Sequence, residues 1–251
     1  MSNIFFENDR APLCAMVQAR TPEAALDLIK RSIDGGCDAI GLQFCVLECE
    51  YNTSEYRRQL IAACGEKPVY ATNYRGSSNS GKSDDELASE LIDIAASGAE
   101  LIDVMGDLFC PTPGELTLES AAVAKQKELI GAIHAEGKKV LMSSHVLKFT
   151  PAERVLDIAM RQRERGADFV KIVTGAESVY EEIENLRITA LLKEKLDVPF
   201  LFLSGGSHCH NHRMIGVNFG SSMYLCVVSH HELATKAQPM LYKLKNVIEN
   251  Y

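Results

Sequence analysis

Two rhythms of apolar residues alternate along this chain. Short runs rich in Val, Ile, Leu and Phe lie near residues 12–19, 38–45, 68–74, 99–105, 138–144, 167–174, 199–204 and 221–228, and each reads as a buried strand. Longer amphipathic stretches between them read as helices. Thr21-Pro22-Glu23 and Thr150-Pro151-Ala152-Glu153 each predict a helix start, with Thr as N-cap, Pro at the first helical position and an acid in the first turn. Gly35-Gly36, Gly98, Gly137 and Gly166 precede strands, as expected where a helix closes through a left-handed residue. The polar stretch Gly76-Ser77-Ser78-Asn79-Ser80-Gly81-Lys82-Ser83 predicts a mobile loop after the third strand.

Eight βα units in 251 residues match a closed (β/α)8 TIM barrel spanning residues 1–251 as one domain. The alternative, an open doubly wound sheet, loses its main support because no Gly-x-Gly-x-x-Gly follows the first strand.

With 46% hydrophobic and 24% charged residues, the composition is that of a soluble globular protein, and no run approaches the roughly 18 apolar residues of a membrane span. The net charge of -8, with Lys and Arg scattered, argues against a nucleic-acid surface. Eight cysteines set in apolar segments read as reduced thiols, which places the chain in the cytoplasm. A small molecule is the expected partner. The cluster His208-Cys209-His210-Asn211-His212 could gather three imidazoles on one side of an extended segment, but its spacing matches no usual zinc pattern. It reads as a polar loop rather than a metal site.

Residues at the C-terminal ends of barrel strands converge on one mouth. There the sequence puts Arg75, Ser143, Ser144, His145 and Ser204-Gly205-Gly206, with Lys171 inside the apolar run Phe169-Val170-Lys171-Ile172-Val173. Strand alternation points Lys171 into the barrel. Among apolar neighbours an ammonium is costly, which favours the neutral amine, a nucleophile for carbonyls. The imine so formed acidifies the adjacent C–H bond, and His145, on the neighbouring strand, can take that proton. A barrel-lining lysine paired with an acid is the plainer alternative.

The blocks Met142-Ser143-Ser144-His145, Phe149-Thr150-Pro151, Gly166-Ala167-Asp168-Phe169-Val170-Lys171-Ile172, His212-Arg213 and Phe219-Gly220-Ser221, together with Ile102-Asp103-Val104, resemble type I 3-dehydroquinate dehydratase in order and spacing over nearly the whole chain. The resemblance implies a cytoplasmic, homodimeric, cofactor-free barrel of the shikimate route to aromatic amino acids, converting 3-dehydroquinate to 3-dehydroshikimate. It puts Lys171 on the imine-forming lysine, His145 on the general acid/base and Arg213 on the carboxylate-binding arginine, a task suited to a guanidinium fork. Arg75 falls near a further substrate-contacting arginine, and Gln43, Ser143, Asn79 and Lys236 join the expected substrate contacts.

The match breaks in three places. The family's Glu-x-Arg-x-Asp on strand two is Gly41-Leu42-Gln43-Phe44-Cys45 here, a glutamate after strand three falls on Asn79, and the lid's Ser and Gln become Glu232 and Lys236. The retained residues perform imine and proton chemistry, while the replaced ones grip substrate hydroxyls or orient the histidine. Each lost buried hydrogen bond to a charged group is worth about 1.5–3 kcal/mol, enough to change substrate preference. An imine-forming aldolase or dehydratase for another carboxylated hydroxyketone is therefore the second reading, and a non-catalytic ligand-binding homologue the third.

Overall fold

A computed structural model describes residues 4–6 and 10–250. All eight expected strands form: β1 (Leu13–Val17), β2 (Ala39–Gln43), β3 (Val69–Thr72), β4 (Leu101–Met105), β5 (Lys139–His145), β6 (Phe169–Gly175), β7 (Phe200–Gly205) and β8 (Tyr224–Cys226). They alternate with α1 (Pro22–Asp34), α2 (Ser54–Ala63), α3 (Asp84–Ala96), α4 (Ser120–Ala135), α5 (Ala152–Glu164), α6 (Val179–Lys195), the short α7 (His210–Ile215) and α8 (Leu241–Glu249). The strands make one parallel sheet in the order β7-β6-β5-β4-β3-β2-β1-β8, so each βα unit up to β7 lays its strand beside the preceding one and β8 pairs with β1. The sheet curls until its edges meet. There Ser222, just before β8, donates its backbone N–H to the Phe200 carbonyl (2.8 Å), and its hydroxyl accepts from the Phe200 N–H (3.1 Å). This is the TIM-barrel-like α/β architecture that the strand count predicts.

Two packed layers follow from strand alternation. Leu101, Leu141, Phe169 and Leu201 fill the barrel interior with Tyr70, Cys14 and Met16. Residues of the opposite face, such as Ile40, Ile102, Val140 and Met142, pack under the helices. At the N-terminal end Phe6 meets Phe169 edge-on at 6.0 Å and covers the interior from below. Among the described residues, that floor leaves the C-terminal mouth as the approach to the buried polar groups higher in the barrel.

The start of α1 is as expected: Thr21 accepts from the Ala24 N–H and Pro22 is the first helical residue. The start of α5 differs. Its N-cap is Pro151, and the Thr150 hydroxyl donates instead to the Lys148 carbonyl at 2.9 Å. Gly36, Gly98, Gly137 and Gly166 all take positive φ, whereas Gly35 is right-handed. The 76–83 segment is also corrected. Ser77–Asn79 forms a 3-10 turn with Ser78 and Asn79 buried, and Ser83 opens α3 in a capping box with Glu86. Asn52, reaching across from before α2, donates to Asn73, Ser78 and Asn79, and this pins the segment. Among the described residues no helix is long and apolar enough to cross a membrane.

Candidate active site

Lys171 lies midway along β6, 4% exposed, with Ser143 of β5 as its register partner. Its Nζ has three donors, and the barrel meets them with three oxygens: Tyr74 Oη at 2.8 Å, Tyr70 Oη at 2.9 Å and Asp103 Oδ2 at 3.1 Å. Both phenols donate in turn to Asp103 Oδ2, at 2.5 and 2.6 Å, and the Ser143 hydroxyl donates to Oδ1 at 2.5 Å. The expectation of apolar surroundings is thus overturned. Asp103 stands on β4 as Lys171 stands on β6, a lone charge within an apolar strand, and two such strands supply each other's counter-charge. Burial pushes the Asp103 carboxyl up, but Lys171 and the hydroxyls of Ser143, Tyr70 and Tyr74 outweigh it and hold the group below the usual carboxylate range. Burial and the adjacent Asp103 drive both phenols well above the ordinary tyrosine value, so they remain protonated donors.

His145 ends β5 two residues beyond Ser143, on the same face. The Tyr74 ring packs edge-on against the imidazole with centroids 5.3 Å apart, so one side chain touches both His145 and Lys171 Nζ. The imidazole Nδ1 lies 2.6 Å from Glu115 Oε2, which also accepts the His145 backbone N–H at 3.1 Å. Arg213, on α7 beyond β7, is 8% exposed, and its Nε donates to the Ser204 carbonyl at 2.6 Å. Its terminal nitrogens meet no partner among the described residues. Burial pulls this guanidinium down to about 10, against an opposing effect of Cys209.

Of the remaining expected substrate contacts, all but Lys236 are engaged internally. All five Arg75 donors are taken: Nε and Nη2 hold the Asp84 carboxylate at 2.7 Å each, Nη1 reaches Asp107 Oδ1 at 2.7 Å and Met105 Sδ at 3.8 Å, and Nη2 also meets the Asp107 carbonyl at 2.9 Å. Arg75 therefore staples the β3 and β4 loops together, because strand alternation gives the inward place to Tyr74. Asn79 is saturated as well: it donates to Asn73 Oδ1 and the Tyr74 carbonyl and accepts from Asn52 and Lys82. Ser143 spends its hydroxyl on Asp103. Gln43 accepts from Gln18 at 2.9 Å, and Gln18 in turn donates to Thr235 at 3.1 Å, so the mouth is tied to the 229–238 segment. Lys236, in that segment, is exposed and pairs with no described residue. On β2, Gly41 is backfilled: Met16 Sδ occupies the space where a Cβ would project, with Cys14 Sγ beside it.

The histidine cluster is not extended. The segment 210–215 is helical, with Glu182 accepting the His212 N–H at 3.1 Å and an Asn211 Nδ2 proton at 2.9 Å. His212 is buried between Ser204 Oγ (3.0 Å from Nδ1) and Thr189 Oγ1 (2.9 Å from Nε2). Burial, helped by neighbouring Arg213 and opposed by Glu182, pulls its imidazole down to about 4. A surface cavity of about 670 Å³, lined in part by Phe200, Ser222 and Lys193, opens at the other end of the barrel and does not reach Lys171.

Sequence reasoning missed Tyr70, Tyr74 and Glu115. The tyrosines carry a signal, since Tyr70, Thr72 and Tyr74 alternate onto the inward face. Glu115 carries none, because it is a lone acid in the loop Pro111-Thr112-Pro113-Gly114-Glu115.

A family model described as type I 3-dehydroquinase matches residues 13–250. The 3-dehydroquinate dehydratase of Klebsiella pneumoniae subsp. pneumoniae is 26% identical over 266 aligned positions, covering 99% of this chain and 96% of that protein. The one from Syntrophotalea carbinolica is 31% identical over 171 positions, 66% of this chain and 62% of that protein. Among solved structures, type I 3-dehydroquinate dehydratase from Clostridium difficile superposes with a TM-score of 0.81 at 19% identity, covering 97% of this chain and 93% of its own.

Proposed function

Since this chain belongs to the type I 3-dehydroquinase family, we propose that it is a Schiff-base dehydratase converting 3-dehydroquinate to 3-dehydroshikimate, with Lys171, His145 and Arg213 as its working residues. The observation that carries this reading is the shared contact with Tyr74, which brings the amine of Lys171 and the imidazole of His145 to one side chain at the mouth.

The Lys171 ammonium, paired with Asp103, passes one proton to His145; the freed amine adds to the substrate ketone, and the carbinolamine, taking that proton back onto its hydroxyl, loses water to give a protonated imine. That cation withdraws electrons from the adjacent carbon, and His145 takes a proton from it. The electron pair then expels the hydroxyl on the next carbon, which leaves as water with the proton that the imidazolium returns. Hydrolysis releases product and amine. Arg213, buried without a carboxylate of its own, presents its terminal nitrogens to the substrate carboxylate, which compensates a charge otherwise costly to bury. Lys236 and Gln43 contact the substrate when the 229–238 segment closes over it. The enzyme acts as a cytoplasmic homodimer.

Borohydride added with 3-dehydroquinate reduces the imine, and peptide mass spectrometry is expected to find the adduct on Lys171 and none in Lys171→Met. An unmodified Lys171 at saturating substrate overturns the proposal. A second reading, imine chemistry on a different carboxylated hydroxyketone, is favoured by the backfilled Gly41 and the internally engaged Arg75, which leave fewer polar groups for substrate hydroxyls. Turnover across a panel of keto acids separates the two, since exclusive use of 3-dehydroquinate removes the second.

A further inference from the structure

We propose that Glu115 is the positioning residue for His145: it fixes the tautomer that leaves Nε2 unprotonated and facing the reacting carbon. This rests on the imine reading above for its catalytic consequence and on the geometry alone for its structural one.

An ionised carboxylate only accepts hydrogen bonds. At 2.6 Å from Glu115 Oε2, Nδ1 must therefore carry the imidazole proton, and the lone pair falls on Nε2, which has no partner among the described residues. The same oxygen holds the His145 backbone N–H, so Glu115 grips the residue at two points and sets both ring rotation and tautomer.

The loop that delivers Glu115 is built to hold it there. Glu115 takes φ 51°, a left-handed conformation that a non-glycine residue keeps only when its surroundings impose it. Those surroundings are buried hydrogen bonds. The Ser144 hydroxyl donates to the Glu115 carbonyl at 2.6 Å, and Gln162 of α5 donates to that same hydroxyl at 2.9 Å. Gln162 also brackets the backbone of Lys171, accepting its N–H at 3.2 Å and donating to its carbonyl at 3.1 Å. Beneath the loop, buried Arg165 donates to the carbonyls of Gly106 (2.7 Å) and Thr117. Gly106 is required where it stands, since a Cβ there would lie 2.6 Å from the Glu115 carbonyl. The carboxylate beside His145 and the backbone of Lys171 thus belong to one hydrogen-bonded unit. The position expected from the resemblance to supply a carboxylate after strand three is the saturated amide of Asn79.

The test has two arms. Histidine 15N NMR of the free protein is expected to show His145 as the Nδ1–H tautomer and a mixture of tautomers in Glu115→Ala. In steady-state kinetics Glu115→Ala should lose about 10- to 100-fold in kcat, a fraction of what a general base contributes, with KM within about threefold. Borohydride trapping on Lys171 should persist in that variant. Glu115→Gln, whose amide oxygen still accepts from Nδ1, should recover most of the loss. Wild-type kcat and an unchanged tautomer in Glu115→Ala overturn the proposal. Absence of a Lys171 adduct in the wild type overturns the reaction instead, and the substrate-free NMR arm then decides Glu115 by itself.

Discussion

His212 offers a quantitative probe of the wall that carries Arg213. Thr189 Oγ1 donates to the Asn185 carbonyl, so it accepts from Nε2–H of the ring, and Ser204 Oγ donates to Nδ1. The site is thus built for a neutral imidazole, and burial beside Arg213 lowers its proton affinity from 6.5 to about 4. The sign follows from linkage. Between these values the unfolded chain binds a proton that the folded chain refuses, so stability from this site is full above the unfolded value and falls as pH drops toward 4. At about 1.4 kcal/mol per tenfold change in proton affinity, the full effect is about 3 kcal/mol, of which about 2 kcal/mol is lost between about pH 7 and about pH 5. Urea unfolding of wild type and His212→Gln at both pH values isolates this contribution, because the other titrating groups cancel in the difference. The variant should be less stable near pH 7 yet lose about 2 kcal/mol less on acidification than the wild type does. Equal losses in the two proteins would refute a neutral, buried His212.

Asp103→Asn removes one partner of the buried pair with Lys171 and should cost about 3 kcal/mol in urea unfolding, with turnover lost as well. Gly41→Ala drives a Cβ into Met16 Sδ and should cost about 1–3 kcal/mol, whereas Met16→Ala in the same chain should relieve part of that cost, giving a non-additive cycle. Arg165→Met strands the Thr117 carbonyl and Gln126 Oε1, while the Gly106 carbonyl keeps Gln126 Nε2, and should cost about 2–4 kcal/mol. Limited proteolysis should then cleave within 106–119 before any other segment opens.

Strand placement was legible because an apolar run of six to eight residues bounded by helix signals has few other interpretations, and every one of the eight formed. Lys171 and His145 were legible for the same reason, as polar residues that break such runs. Their surroundings were harder to read. Whether a buried cation has an apolar or a charged neighbour depends on which strands lie across the barrel, and Tyr70 and Asp103, 33 residues apart, meet only through sheet order. Arg75 and Tyr74 show the limit most plainly. They are adjacent, and one step of strand alternation gives the inward place to the phenol and sends the arginine to Asp84 and Asp107. Glu115 reaches His145 through a loop whose course is set by tertiary hydrogen bonds, and no local periodicity encodes that.

The barrel wall is fastened unevenly. β6 and β7 share six paired positions and β4–β5 and β5–β6 five each, whereas β3 and β4 share two and the two edges of the sheet are joined by two hydrogen bonds at Ser222. Asp103, Ser143, His145 and Lys171 all sit on the firmly paired stretch from β4 to β6, away from that join. Amide exchange should begin at the join, so the wall can breathe like a cuff undone at its button while the fabric bearing the chemistry stays taut.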